Sequence, residues 1–414
     1  MYIRWSVLNV QRHAPAGGLP RLARLENSHT EMPSAIFCDE KSHEFYFGRT
    51  AVAKYLGGEE GRLMRSLKRA LGTNLMATGT LIGARTERFQ DAVGAFLGNI
   101  KNKLDAAARA EIKSAVMGRP VHFQNDPSLD AAAESELRGI AHAAGFREVL
   151  FQYEPIAAAF AHERRLDEEV LAAVIDIGGG TSDFSIIRIG GAHAKKADRR
   201  EDILANTGVR VGGNDFDKQF SLSCFMPEFG MGTEYEAPPK ILPMPNSFYF
   251  DLSEWSRINF LYNYKNLNAV RTHLLYAREP EKVGRLVEVI ERRQGHKILA
   301  YVEDLKIRLS ACDAAAARLD FLTRPVEIPA TRDVFQQAIA QEVEKASAAL
   351  RKCIRQSGVR ADSIGLVVLT GGSAEIPFVR EALCGMFSNA RISGEDKLNS
   401  VGLGLGFDAV RRLA

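Results

Sequence analysis

Residues 170–190 read VLAAVIDIGGGTSDFSIIRIG: two apolar runs of strand length separated by three consecutive glycines. Runs this apolar belong to buried strands, yet Asp176 lies two residues before the first glycine and Asp183 three after the last. A carboxylate on a buried strand is costly unless it is paired or serves a cation. Glycine, for its part, lets the backbone come close to an anion and aim several N–H groups into one concavity. Beside a bound phosphate the natural partner of Asp176 is Mg²⁺, held directly or through its water shell. The plainer alternative is a hairpin with permissive dihedrals and an Asp that faces solvent at a strand end.

Two further glycine turns follow strand-like segments: Gly212 and Gly213 after VRV, and Gly371 and Gly372, with Ser373, after GLVVLT. Each one alone reads as an ordinary turn. At 414 residues the chain exceeds what one hydrophobic core supports, so two lobes are expected. The charge is nearly balanced, 54 Lys and Arg against 51 Asp and Glu, and no basic stripe interleaves with aromatics, which argues against a nucleic-acid partner. The five cysteines are scattered without close pairs and read as small hydrophobes in a reducing compartment. Neither a signal-peptide core nor a run of about 20 apolar residues is present, so a cytoplasmic protein without a membrane partner is expected.

Along the chain, residues 34–60 suggest short strands and turns, and residues 86–115 carry helical spacing at Phe89, Val93, Phe96, Leu97, Ile100 and Leu104. SAVMGRPVHF reads as a strand, and a helix starting at Asp126 is closed by Gly145. REVLFQYEP is another short strand, and EPIAAAFAHERRL is a helix with Pro155 in its first turn. From Met226 to about Asn246 no period is legible. Residues 254–317 and 333–357 read as helical, the second segment ending at Gly358, and GLVVLT is a buried strand.

Five segments, in order and at matching spacing, resemble the seventy-kilodalton heat-shock chaperones of the DnaK type and their actin-fold relatives. IDIGGGTSDFSI is similar to the family's second phosphate loop, and FREVLFQYEPIAAAFAHE to the helix-crossing segment before it. VRVGGNDFD resembles the GGxDFD turn, VEDLKIRLS the adenosine-contacting helix, and LTGGSAEIP the adenosine loop. MGRPVHFQ and a long insertion after GGNDFD look closest to the YegD-like branch. The resemblance implies an α/β actin-like ATPase fold: two ribonuclease-H-like lobes around a nucleotide cleft. Lobe I would comprise 1–165 and 395–414, with an outer subdomain at about 41–111. Lobe II would comprise 166–394, with an outer subdomain and insertion at about 215–325.

By the same resemblance, Lys68 would sit near the γ-phosphate, orienting the attacking water and stabilising developing charge. Glu154 and Asp176 would hold magnesium through water, Asp176 also assisting proton removal. Gly178, Gly179, Gly180 and Thr181, with Gly212 and Gly213, would bind phosphate. Lys306 and Ser310, four apart on one helix face, would reach ribose and adenine. Gly371, Gly372 and Ser373 would close over base and sugar. The implied cofactors are ATP or ADP and Mg²⁺, and the implied partners are the nucleotide and a protein client or co-chaperone reached through lobe II.

The departures are equally definite. The family's first phosphate loop, DxGTxxS, has no counterpart in MYIRWSVLNV, from either a truncated start or a real loss. Ile307 and Glu375 stand where the family has arginines, and Ser400 replaces an acid near the metal side. VGLGLG lacks dinucleotide-fingerprint spacing and reads as close helix packing between the lobes. The sequence ends just past that helix, so no peptide-binding domain is expected. The expectation is a chaperone-like ATP-binding protein with slow Mg-dependent hydrolysis coupled to lobe closure. The alternatives are a pseudo-ATPase scaffold, a small-molecule kinase on the same fold, and a filament-forming actin relative.

Overall fold

The computed structural model describes residues 2–3, 20–65, 71–73, 76, 79–82, 85–124, 126–163, 166–196, 198–255, 257–393 and 400–413. Toward the N-terminus the buried strand Ala35–Asp39 lies between Phe45–Phe47 and Gly61–Arg65 in an antiparallel sheet. Helix α1 (Gly48–Leu56) packs on this sheet; nothing in the sequence announces it, because no capping side chain starts it and its apolar face is narrow. Helix α2 (Phe89–Ala108) buries Val93, Phe96, Leu97, Ile100 and Leu104 at the expected spacing, with ends inside the 86–115 window.

The strand Ser114–Arg119, helix α3 (Pro127–Ala143) and the strand Glu148–Tyr153 form a unit whose two strands are parallel. Asp126 starts α3 by accepting from the amides of Ser128 (2.8 Å) and Leu129 (3.1 Å), with Pro127 in the first turn. Gly145, at φ +103°, follows its end. Helix α4 (Glu154–Glu163) starts on the Glu-Pro pair.

The run at 170–190 is the expected strand pair, β1 (Val170–Ile177) and β2 (Ser182–Ile189), and β3 (Ile203–Val209) extends it antiparallel. Past β3 come α5 (Gly213–Phe220), a hairpin of Glu234–Ala237 and Lys240–Pro243, and α6 (Asn246–Leu252). Then follow α7 (Tyr264–Leu275), α8 (Pro280–Glu291) and α9 (Gly295–Ala311). The strands Ala314–Leu319 and Val326–Thr331 pair next, and α10 (Arg332–Ser357) leads back to β4 (Leu366–Thr370). Helix α11 (Pro377–Cys384), β5 (Arg391–Ser393) and α12 (Ser400–Leu413) complete the chain order. The central sheet runs 3-2-1-4-5, with β4 and β5 parallel to β1, as expected of a ribonuclease-H-like sheet.

Both faces of this sheet are covered, which is why its strands are almost continuously apolar. Ala173, Ile175, Ile177, Phe184 and Ile186 share one core with Phe216, Phe220, Phe335 and Leu350 from α5 and α10. Ala172, Val174 and Val368 lie in another with Ala157, Ala158, Val401 and Leu405 from α4 and α12. The glycine-rich start of α12 makes a close helix contact, with α4 rather than between the assigned lobes: a Cβ on Gly404 would overlap the carbonyl oxygen of Ala157.

Two further readings fail locally. AAAARL at 314–319 is a strand, although alanine favours helix. Six backbone partners on Val326–Thr331 and the burial of Ala317 and Leu319 outweigh that preference. The aperiodic stretch from Met226 to about Asn246 is more ordered than its composition suggests, with Met226, Phe229 and Met244 buried in the larger core. Among the described residues no helix is long and apolar enough to cross a membrane.

Candidate functional site

Strand register brings the acids together. Asp176, next to last on β1, is directly opposite Asp183 on β2 and Thr370 on β4. Directly paired residues project from the same face of a sheet, and with the alternate positions Val174, Ser185 and Asn206 these three line a single pocket. Glu154 and Pro155, at the start of α4, form the opposite wall. Glu154 lies over Gly118, where a Cβ would be 3.2 Å from its Cγ.

The three glycine turns meet at this end of the sheet. In the first, the Gly178 amide donates to the Thr181 carbonyl at 2.9 Å. The second docks on it, with Gly213 N–H donating to Gly178 O (3.0 Å) and Asn214 N–H to Gly179 O (2.6 Å). A side chain at Gly212 would be 2.6 Å from both Gly178 O and Gly180 N, and one at Gly213 would be 2.5 Å from Ser373 Oγ. The third turn passes beside Asp176. Gly371, at φ +85°, has no room for a Cβ next to the Ile177 carbonyl, whereas Gly372 faces open space.

These contacts divide the labour among the glycines. The amides of Gly212 and Gly213 are engaged within the protein, the first on Asp215 Oδ2 at 2.9 Å and the second on Gly178. Their geometry suits them to fixing the shape of the 178–180 turn, a different contribution from donating to phosphate.

Lys306 and Ser310 occupy one side of α9. The Lys306 ammonium pairs at 2.8 Å with Asp217 of α5, both side chains about nine-tenths buried, and Ser310 Oγ donates to Lys306 O at 3.0 Å. Asp217 is four residues beyond Gly213, so the pair ties α9 to the helix that leaves the second turn. Replacing Asp217 by leucine strands a buried ammonium, and the expected cost is about 3 kcal/mol in a urea titration. Adding Lys306→Met should recover most of it; no recovery would show that Asp217 acts through something other than the pair. Ile307, 60% exposed, points away from this buried side. Lys68 lies outside the described residues.

A cation here would depend on oxygen donors. Thr370 Oγ1, fully buried beside Asp176, and Ser400 Oγ, next to the pocket residue Val401, have no hydrogen-bond partner among the described residues. Among the described residues no three carboxylate, imidazole or thiol groups converge closely enough to hold a metal by themselves. Carboxylates plus orphaned hydroxyls fit a hydrated magnesium ion whose remaining ligands come from a phosphate.

Asp183, Ser185, Asn206 and Thr370 complete the pocket, and none of them was assigned a role from the sequence. The available signal was the two-residue alternation of Asp183 and Ser185 on an otherwise apolar strand. Thr370 is a polar residue at a strand end and Asn206 one in the middle of β3, and only the register reveals their company.

Two stretches match family models: residues 91–222 match MreB/Mbl protein, and residues 279–409 match Hsp70 protein. Both families are of the actin-like ATPase superfamily, and the actin-like ATPase fold is the fold of this chain. The first match ends just past α5 and the second begins at α8, so the hairpin, α6 and α7 lie between them.

Proposed function

We propose that the chain binds ATP or ADP with Mg²⁺ where the three glycine turns converge, and that it hydrolyses ATP slowly as a chaperone-like protein of the YegD-like kind. The observation that carries this reading is the meeting of those turns with Asp176, Asp183 and Thr370 at the carboxyl ends of β1 and β4, where open α/β sheets take their ligands. Lobe I is assigned to 1–165 and 395–414 and lobe II to 166–394, with the nucleotide between them.

Bound Mg²⁺ would neutralise phosphate charge and order water. Asp176 and Glu154 would hold that hydrated ion, with Asp183 and Thr370 alongside. The 178–180 turn and Thr181 would offer backbone and hydroxyl donors to phosphate oxygens. Lys306 and Ser310 would meet the ribose and base, and Gly371, Gly372 and Ser373 would cover them, Gly372 having the open space to do so. Lys68 would orient the attacking water. The lobes would close on nucleotide, and a protein client or co-chaperone would read that closure through lobe II.

Calorimetric titration tests this directly. Mg-ATP should bind in the low micromolar range, about −8 kcal/mol, with chelation of Mg²⁺ weakening it, and phosphate release should be slow but measurable. An absence of heat from both Mg-ATP and Mg-ADP would overturn the reading.

A further inference from the structure

The VRV segment at 209–211, which leads into the second glycine turn, divides between the two faces of the central sheet. Val211 is buried in the core formed with α5 and α10, and Val209 packs against that same core. Successive side chains of an extended chain point to opposite faces. Arg210 therefore projects from the other face, the one on which Asn206 lines the pocket. It is exposed, and it makes no hydrogen bond or ion pair with another described residue.

Register fixes its neighbours. Ser182 is paired with Val209, and one step further along sets Arg210 beside Thr181, whose carbonyl accepts from the Gly178 amide at 2.9 Å. Neighbouring strands lie about 4.8 Å apart, so a guanidinium on its long side chain spans the gap from position 210 to the mouth of the first turn. The residue paired with Asp183 is Gly208, which puts no side chain on this face; a Cβ there would be 2.8 Å from Asp183 Oδ1. The lysines of α5 and α9 are committed elsewhere, Lys218 to Glu254 and Lys306 to Asp217, each at 2.8 Å. Glu154, Asp176 and Asp183 bring three carboxylates to the pocket. Even with one divalent cation bound, those walls repel a phosphate chain, and a further positive charge is needed to hold it.

Sheet order decides which phosphate Arg210 meets. The strands β4, β1, β2 and β3 are neighbours in that order, so this end of the sheet presents the 371–373 turn, then Gly178, then Thr181, then Arg210. A nucleotide with its base and sugar at 371–373 runs its phosphates toward β3, and the last of them arrives at Arg210. We infer that Arg210 binds the terminal phosphate of a nucleoside triphosphate and makes the site prefer a triphosphate to a diphosphate. The inference rests on the nucleotide-binding reading above. The guanidinium presents a fork of N–H donors that matches phosphate oxygens, and a diphosphate ends one unit short of it.

Arg210→Ala and Arg210→Lys test it, and at an exposed position both should keep the urea midpoint of the unaltered chain. In calorimetric titrations Arg210→Ala should weaken Mg-ATP about thirtyfold and Mg-ADP by no more than about threefold, the scale of one lost charge-assisted contact. Arg210→Lys keeps the charge without the fork, so its affinity for Mg-ATP should fall between the two. Equal losses for both nucleotides would mean that Arg210 supplies only a general positive field, and no loss would mean a solvated surface arginine; either result overturns the assignment. Magnesium tripolyphosphate, which has no nucleoside, separates this contact from the nucleotide reading. If the unaltered chain binds it but neither nucleotide, and Arg210→Ala loses that binding, the nucleotide reading falls while Arg210 stands as the ligand of a phosphate chain. Unchanged tripolyphosphate binding in Arg210→Ala would overturn the contact, and binding of none of the three probes would refute both.

Discussion

Replacing Gly404 with leucine should destabilise the chain by about 3 kcal/mol or prevent folding, the range reached when extra methylenes are forced into a packed contact. Helices α4 and α12 cover the same face of the central sheet, and Ala157 of α4 is fully buried. Even a Cβ at position 404 would overlap the Ala157 carbonyl, which is backbone and has no rotamer by which to yield. The helices must separate, and separation uncovers Val174, Val368 and Leu405 together. The control is Gly139→Ala on α3, where an added Cβ meets nothing within 4 Å. That change should stabilise by up to about 1 kcal/mol through helix propensity. Urea midpoints of the two variants should move in opposite directions. A Gly404→Leu midpoint equal to that of the unaltered chain would mean that α4 and α12 are not in this contact.

Gly404 also illustrates what was legible in advance. Glycines inside an otherwise helical run have few uses besides close approach, so packing could be read from VGLGLG while the partner could not. The same holds at the site. The three turns and Asp176 were visible because glycine and a carboxylate are anomalies in buried strands. Their convergence depends on a parallel pairing of β1 with β4 across almost two hundred residues, for which local pattern carries no information. Thr370 is unremarkable in sequence and becomes a candidate ligand only because register sets it beside Asp176. Helix α1 and the AAAARL strand were misread for a related reason: short elements take their state from what they pack against, and local propensity decides little.

Asp176→Asn should separate binding from stability. Asparagine keeps the shape of the side chain and removes its charge, so the packing of β1 against β2 and β4 is preserved. Asp176 and Asp183 project side by side from one sheet face, and like charges opposite each other on paired strands are unfavourable. Removing one charge in the nucleotide-free chain should therefore leave the urea midpoint unchanged or slightly higher. Affinity for Mg-ATP should fall about a hundredfold, equivalent to about 2.8 kcal/mol, because the hydrated cation loses a carboxylate. Binding of ATP in the presence of a chelator should change far less, since no cation is then present for Asp176 to serve. Asp183→Asn is expected to do the same more weakly. The double variant should lose less than the sum of the two, because groups serving one ion are coupled. Were Asp176→Asn to bind Mg-ATP as tightly as the unaltered chain, the two carboxylates would have no part in holding the cation, and the pocket would need another ligand.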